Sequence, residues 1–201
     1  MIRVLVADDH AVVRTALITL LAAEPDITVV ADCGSGAAVV ELALASACDV
    51  ALLDVDMPGT DGITAAERLH AVAPDVGVVM LTALRRPGHL RRALAAGAHG
   101  FVTKNLPAAE LAHAVRRVHA GGMQIDPQLA AEAVSAGACP LTPRQRQALR
   151  LAADGRSVAE LAQALGVRPS SARNLLSAAV GGLEVATVVA ALRRARDAGW
   201  L

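Results

Sequence analysis

The 201-residue chain sets 19 Lys and Arg against 19 Asp and Glu, a formal net charge of zero, and at roughly 100–200 residues per domain it has room for one large or two modest domains. Its 54% hydrophobic content rests on 45 alanines with two aromatic residues, Phe101 and Trp200; no apolar run nears the ~18 residues of a membrane helix, and the N-terminus turns acidic too early for a signal peptide. Cys33, Cys48 and Cys139 are an odd number without a C-x-x-C pair, which argues against a disulfide framework and a zinc site and leaves a cytoplasmic protein without membrane contact as the expectation.

Up to about residue 120, short β-branched runs alternate with Ala-rich stretches of helical period. Strands are expected at Arg3 to Ala7, Thr28 to Ala31, Val50 to Leu53, Val76 to Leu81 and Gly100 to Thr103. Helices are expected at Ala11 to Ala23, Gly36 to Ala45, Gly62 to Ala73, His89 to Ala96 and Pro107 to His119. This alternation predicts an α/β domain: a five-stranded parallel sheet, doubly wound, with helices on both faces. The continuous apolar runs of its strands agree with burial on both sides.

After Gly121-Gly122, Asp126-Pro127 to Ala136 reads as a short helix in a connector that closes at Gly137-Ala138-Cys139-Pro140. Beyond it no strand is credible. Thr142-Pro143-Arg144-Gln145 carries an N-cap, a proline at the first helical position and a capping box, and Ser157-Val158-Ala159-Glu160 repeats the box. A third helix opens at Pro169-Ser170-Ser171 after a tight turn at Gly166, and a fourth is expected from about Val185 to Ala198. Two short helices joined by a glycine turn outline a helix-turn-helix inside an all-α four-helix domain. The division is therefore 1–120, a linker at 121–140, and 141–201. Charge divides there as well: residues 1–140 carry 10 basic and 15 acidic side chains, residues 141–201 carry 9 and 4, so the basic part is the candidate for a polyanion.

In a doubly wound sheet, ligands bind beyond the carboxyl ends of the strands. Asp8 and Asp9 end the first strand, Asp54 the third, Thr82 the fourth and Lys104 the fifth. Three carboxylates, a hydroxyl and the chain's only lysine thus converge on one edge. Crowded carboxylates repel, and a hard divalent cation such as Mg²⁺, which also binds phosphoryl oxygens, relieves that repulsion. One carboxylate is then able to attack a phosphoryl donor and form an acyl phosphate. Lys104 offers a compact point charge to the resulting group, which 18 arginines elsewhere in the chain do not, and Thr82 offers a hydrogen bond to a phosphoryl oxygen.

Val6-Ala7-Asp8-Asp9-His10, Asp54-Val55-Asp56-Met57-Pro58 with Asp61-Gly62, Thr82-Ala83 and Phe101-Val102-Thr103-Lys104 resemble the receiver domain of bacterial two-component response regulators. The resemblance implies a flavodoxin-like fold and phosphoryl transfer from a sensor histidine kinase to Asp54. It also implies Mg²⁺ held by the Asp9 and Asp54 side chains and the Asp56 backbone carbonyl, with Asp8 acting through water. Lys104 would be the phosphate partner, Thr82 and Phe101 a coupled switch pair; a plain core role for Phe101 stands beside that. His10 is given no metal role. Such a protein is not an enzyme in the ordinary sense, since it catalyses only its own phosphorylation and dephosphorylation.

Leu141-Thr142-Pro143-Arg144, Ala159 to Val167 and the closing Ala198-Gly199-Trp200-Leu201 resemble the NarL/LuxR-type DNA-binding domain. The resemblance places the helix from about Ser170 to Val180 in the major groove, with Ser171, Arg173, Asn174 and Ser177 toward bases and Arg168 toward a phosphate. The sequence departs from that pattern at Leu175, Ala178, Gly181, Gly182, Gln145 and Ala186-Thr187. Loss of about three phosphate contacts would make the salt dependence shallower by roughly 3 in log–log slope. Leu175 is expected to be exposed on the reading face, and Gly181-Gly182 to weaken the helix end. The leading expectation is a regulator that dimerises on phosphorylation and binds promoter DNA. The alternatives are a signalling protein whose degenerate helix-turn-helix binds protein, and a phosphohydrolase with an Asp nucleophile, for which no second catalytic acid is arranged.

Overall fold

The computed structural model describes residues 1–83, 87–135 and 139–201, which divide into two compact units, one drawn from residues 1–85 and 89–131 and one from residues 86–88 and 132–201.

The first unit is a parallel sheet wrapped by helices. Strands β1 (Ile2–Ala7), β2 (Ile27–Cys33), β3 (Val50–Asp54), β4 (Gly77–Thr82) and β5 (Gly100–Thr103) alternate with helices α1 (Ala11–Ala22), α2 (Val39–Ser46), α3 (Gly62–Val72), α4 (Pro87–Ala95) and α5 (Ala108–His119). A sixth strand, β6 (Gln124–Ile125), completes the order β2-β1-β3-β4-β5-β6, all neighbours parallel. The five-stranded expectation is thus one strand short. Two residues carry no periodicity from which to read a strand; β6 is defined by tertiary hydrogen bonds, from Gln124 N–H to the His99 carbonyl and from Asp126 N–H to that of Phe101. The central strands β3 and β4 are buried at every residue, as unbroken apolar runs require. Val4, Val6, Leu52, Val79 and Leu81 form one face of the core with Leu111, Val115 and Val118 of α5.

The second helix begins later than its period suggests. Ser35 accepts a hydrogen bond from Ala37 N–H and starts a 3-10 turn at Gly36–Ala38 before α2 proper. A side chain at position 36 would overlap the Thr60 carbonyl oxygen, so the close approach of these two loops requires glycine. The connector contains α6 (Pro127–Ser135), whose first turn is capped by Asp126 Oδ1, 2.8 Å from Gln128 N; its expected end at Ala136 and most of the expected Gly137 to Pro140 closure lie outside the described residues.

The second unit contains α7 (Pro143–Ala153), α8 (Val158–Leu165), α9 (Pro169–Gly182) and α10 (Val188–Asp197). Both capping boxes form: Thr142 with Gln145, and Ser157 with Glu160, each satisfying two otherwise orphaned N–H groups. Gly166, at φ +63°, closes α8 in the left-handed conformation that glycine adopts without strain. α9 packs against α7, α8 and α10 over a core of Leu149, Leu161, Ala172, Leu176, Ala179, Leu183 and Trp200. Gly181-Gly182 does not end α9 early: buried Leu183 continues the helical bonding to the Ala179 carbonyl and anchors the last turn. α10 starts three residues later than expected because Thr187 caps it, its hydroxyl 3.1 Å from Ala190 N.

Candidate functional site

The carboxyl edge of the sheet gathers Asp8, Asp9, Asp54, Thr82 and Lys104 as the strand ends demand. Asp54 is the last residue of β3, Thr82 of β4, and Lys104 follows β5. Main-chain bonds lock these ends together: Asp8 N–H donates to the Cys33 carbonyl, Val55 N–H to Leu81 and Lys104 N–H to Thr82. The Lys104 ammonium lies 2.7 Å from Asp8 Oδ2 and 2.9 Å from Asp54 Oδ2, with Asp8 wholly buried and the Lys104 side chain 12% exposed. One cation therefore bridges two buried carboxylates.

Burial dominates the electrostatics. It pushes the Asp54 carboxyl above its ordinary value, against the hydrogen bond and charge of Lys104 and with the help of the neighbouring Asp8 charge. Burial also pulls on Lys104, but its contacts with Asp8 and Asp54 prevail and hold the ammonium above its usual value. This is the behaviour expected of a buried, paired triad.

Asp9, Asp8 and Asp54 offer oxygens that, with His10 Nδ1, all lie within 4.8 Å of one another. Asp9 Oδ1 is buried and accepts no hydrogen bond; His10 Nδ1 lies 2.7 Å away, but not in a hydrogen-bonding orientation. A group of carboxylate oxygens with an unsatisfied member suits a hard divalent cation. Asp56, exposed, follows Asp54 and donates its N–H to Asp54 Oδ1 at 3.4 Å. Phe101 is fully buried in β5, opposite Met80 of β4.

Arg14, to which no sequence motif points, also shapes this edge. From α1 it donates through Nη1 to the Asp8 carbonyl at 2.6 Å and through Nε to Asp32 Oδ2 at 2.9 Å, tying the β1–α1 turn to the end of β2. Asp61, in the sequence only a member of a motif, caps α3. Its Oδ1 lies 2.7 Å from Thr64 N and its Oδ2 3.3 Å from Arg92 Nη2. Burial alone would raise the Asp61 carboxyl; the Thr64 and Arg92 contacts instead bring it below its ordinary value. The next residue, Gly62, lies so close to the Asp54 backbone that a Cβ there would overlap the Asp54 carbonyl oxygen.

In the second unit Ser171, Arg173, Asn174 and Ser177 are exposed on α9, and Arg168, its N-cap residue, is exposed as well. Leu175 corrects an expectation: it is half-buried and packs on the domain's own core rather than standing on the reading face. Position 175 adjoins the buried stripe of Ala172, Leu176, Ala179 and Leu183, and that stripe recruits it. Ala178, Gly181 and Gly182 remain exposed and uncharged, and Thr187 is occupied in capping α10.

A doubly wound parallel sheet with an aspartate-lined carboxyl edge and a bridging lysine, followed by a helix-turn-helix unit, defines a receiver-and-effector class of signalling protein. Residues 4–116 match the response regulator receiver domain, and residues 141–183 match region 4 of sigma-70. The chain belongs to the response regulator family. It is 36% identical to the transcriptional regulatory protein DesR of Bacillus subtilis, over 100% of this chain and 99% of that protein. It is 32% identical to the DNA-binding transcriptional activator DevR/DosR of Mycobacterium tuberculosis, over 99% of each. Among solved structures it is similar to the response regulator ChrA of a heme-sensing two-component system, with 32% identity, a TM-score of 0.60 and coverage of 97% of this chain and 96% of that one.

Proposed function

We propose that the chain is a phosphorylation-controlled transcription regulator in which Asp54 accepts a phosphoryl group from a sensor histidine kinase and the helix-turn-helix unit binds promoter DNA. The observation that carries this reading is the single ammonium set between Asp8 and Asp54 at the sheet edge. A carboxylate oxygen of Asp54 attacks phosphorus as the bond to the donor nitrogen breaks. The Lys104 ammonium already touches Asp54 and is within reach of the negative charge that the modification adds. Asp9, Asp54 and the Asp56 carbonyl would hold Mg²⁺, with Asp8 acting through water. When bound, that ion neutralises phosphoryl charge and aligns donor and acceptor. Thr82 and Phe101 are the proposed switch pair, and the domains are proposed as 1–120, a linker at 121–140, and 141–201. No helix among the described residues is long and apolar enough to cross a membrane, and the three cysteines are free, in keeping with action in the cytoplasm.

The similarity to DesR, a transcriptional regulatory protein, and to DevR/DosR, a DNA-binding transcriptional activator, supports DNA as the target. Exposed Arg168, Arg173 and Asn174 provide the chemistry: arginine for phosphate or guanine, asparagine for adenine. Two chains on paired half-sites compensate for a weak recognition helix, since the second contact becomes intramolecular. The protein-binding alternative loses one of its two supports, since Leu175 is half-buried against the core, and keeps the other, the uncharged Ala178, Gly181 and Gly182.

Acetyl phosphate treatment of the wild-type chain and of Asp54→Asn tests the first half of the reading. The wild type should be labelled and should shift from monomer to dimer; Asp54→Asn should do neither, and labelling of that variant would refute the site assignment. A gel-shift salt titration on DNA from its own locus tests the second half. Binding that strengthens on phosphorylation and weakens with salt supports it; no binding even at low salt overturns it.

A further inference from the structure

Asp9 is aimed into the acidic edge by its neighbours rather than by bonds of its own: no hydrogen bond among the described residues holds its main chain. On one side His10 N–H donates to Asp8 Oδ1 at 2.9 Å. On the other, the Asp8 carbonyl, which shares one planar peptide with Asp9 N–H, accepts from Arg14 Nη1 at 2.6 Å. Whatever holds that carbonyl sets the direction in which the chain enters Asp9. Arg14 is itself well held. Its N–H donates to the His10 carbonyl at 2.9 Å in the first turn of α1. Its Nε donates to Asp32 Oδ2 at 2.9 Å, and its side chain is 22% exposed. The β2–α2 loop closes over the guanidinium, since a Cβ at Gly34 would stand 3.3 Å from Nη1. The planar fork thus ties the β1–α1 turn to α1 and to the end of β2, which an ammonium, having no fork, does not do.

We propose that Arg14 is a positioning residue for the Mg²⁺ pocket: it fixes the Asp8–Asp9 peptide so that the Asp9 carboxylate faces the ion before the ion arrives, while Asp32 anchors the guanidinium. The inference deepens, and rests on, the reading that this pocket holds Mg²⁺ for phosphoryl transfer to Asp54. The guanidinium bonds a main-chain carbonyl and an outlying carboxylate, so it orders the turn without occupying the oxygens of Asp9 or Asp54. A turn ordered in advance lowers the cost of binding, and loss of a group that orients a metal ligand costs roughly 10–100-fold in metal affinity. The sign of the effect separates this role from that of a charge nearby. A cation beside a cation site repels the ion, so deleting a bystander tightens Mg²⁺ binding; deleting a positioning residue weakens it.

The test titrates the full-length protein with Mg²⁺ by calorimetry and follows its labelling by acetyl phosphate as Mg²⁺ is varied. In Arg14→Gln the shorter side chain reaches about as far as the arginine Nε, so it keeps the Asp32 contact and loses the Asp8 carbonyl. That variant should bind Mg²⁺ with unchanged stoichiometry but on the order of tenfold more weakly. It should need correspondingly more Mg²⁺ for half-maximal labelling, while the rate at saturating Mg²⁺ falls by a smaller factor, because the bound ion then orders Asp9 itself. Arg14→Lys keeps the charge, so a bystander role leaves its Mg²⁺ affinity unaltered; a positioning role weakens it, though less than in Arg14→Gln, because an ammonium does not hold both partners at once. Unaltered or tighter Mg²⁺ binding in either variant overturns the role of Arg14, as does a labelling rate that falls by the same factor at every Mg²⁺ concentration. A wild type that binds no Mg²⁺ overturns the pocket reading itself.

Discussion

Replacing Lys104 with methionine keeps most of the side-chain volume and removes the ammonium that bridges Asp8 and Asp54. Each contact, at 2.7 and 2.9 Å, is worth ~6 kcal/mol of Coulomb attraction at an effective dielectric of about 20, most of it offset by the dehydration of three charges. What the variant leaves behind is a pair of buried like charges with no cation, and removing one partner of such a group costs about 3–5 kcal/mol. With urea slopes of ~1–3 kcal/mol per M, the unfolding midpoint of Lys104→Met should fall by roughly 1–5 M in circular dichroism at neutral pH. Adding Asp8→Asn removes one of the stranded charges and should recover about half of the loss; the pair then shows a coupling well above the ~0.5 kcal/mol of independent sites. A divalent cation should also stabilise Lys104→Met more than it stabilises the wild type, because the ammonium no longer competes for the carboxylates. A single variant within ~0.5 kcal/mol of the wild type, or a double variant less stable than the single, would refute the idea that Lys104 neutralises this edge.

Gly62→Ala places a methyl group against the Asp54 carbonyl and the Met80 side chain; an overpacking loss of about 1–3 kcal/mol and slower labelling by acetyl phosphate should appear together, and loss of neither would deny the close approach its role. Arg116 grips Asp26 and Glu24 between α5 and the α1–β2 turn, and its hydrogen bond to Asp26 lowers that carboxyl from 3.8 to about 2. A depressed carboxyl pKa stabilises above the unfolded value and ceases to do so as pH falls through the folded one, so this contribution should fade between about pH 4 and pH 2. In a carboxyl NMR titration Arg116→Gln should return Asp26 towards 3.8, and a wild-type Asp26 already titrating there would contradict the ion pair. Gly181 lies within α9 with open space where an added methyl group would stand; Gly181→Ala should raise the stability of the helical unit by ~1 kcal/mol, and a lower unfolding midpoint would show that the glycine is needed there.

What the sequence made legible was the part governed by rules of position. Parallel strands end where the chain must turn into the next helix, so Asp8, Asp54, Thr82 and Lys104 were bound to meet once their strands were recognised. Capping boxes at Thr142 and Ser157 could be read because four residues carry both partners. Less legible were contacts between distant segments. Arg14 is one arginine among 18, and its bond to the Asp8 main-chain carbonyl leaves no trace in residue type. β6 is too short for any pattern, and the half-burial of Leu175 follows from the apolar stripe one position away, which the family register does not describe. The proximity of the His10 imidazole to three carboxylates depends on the turn after β1, which strand and helix periods do not describe.

The packing of Trp200 in the C-terminal core has an optical consequence. It is the only tryptophan, and the chain has no tyrosine, so near-ultraviolet absorption and intrinsic fluorescence arise almost wholly from one indole in the effector unit. The sheet unit, whose single aromatic residue is Phe101, is nearly dark at those wavelengths. Fluorescence therefore watches the helical unit while circular dichroism watches the whole chain. An event at Asp54 that alters the emission of Trp200 would be a signal received in the effector unit, recorded without any added label.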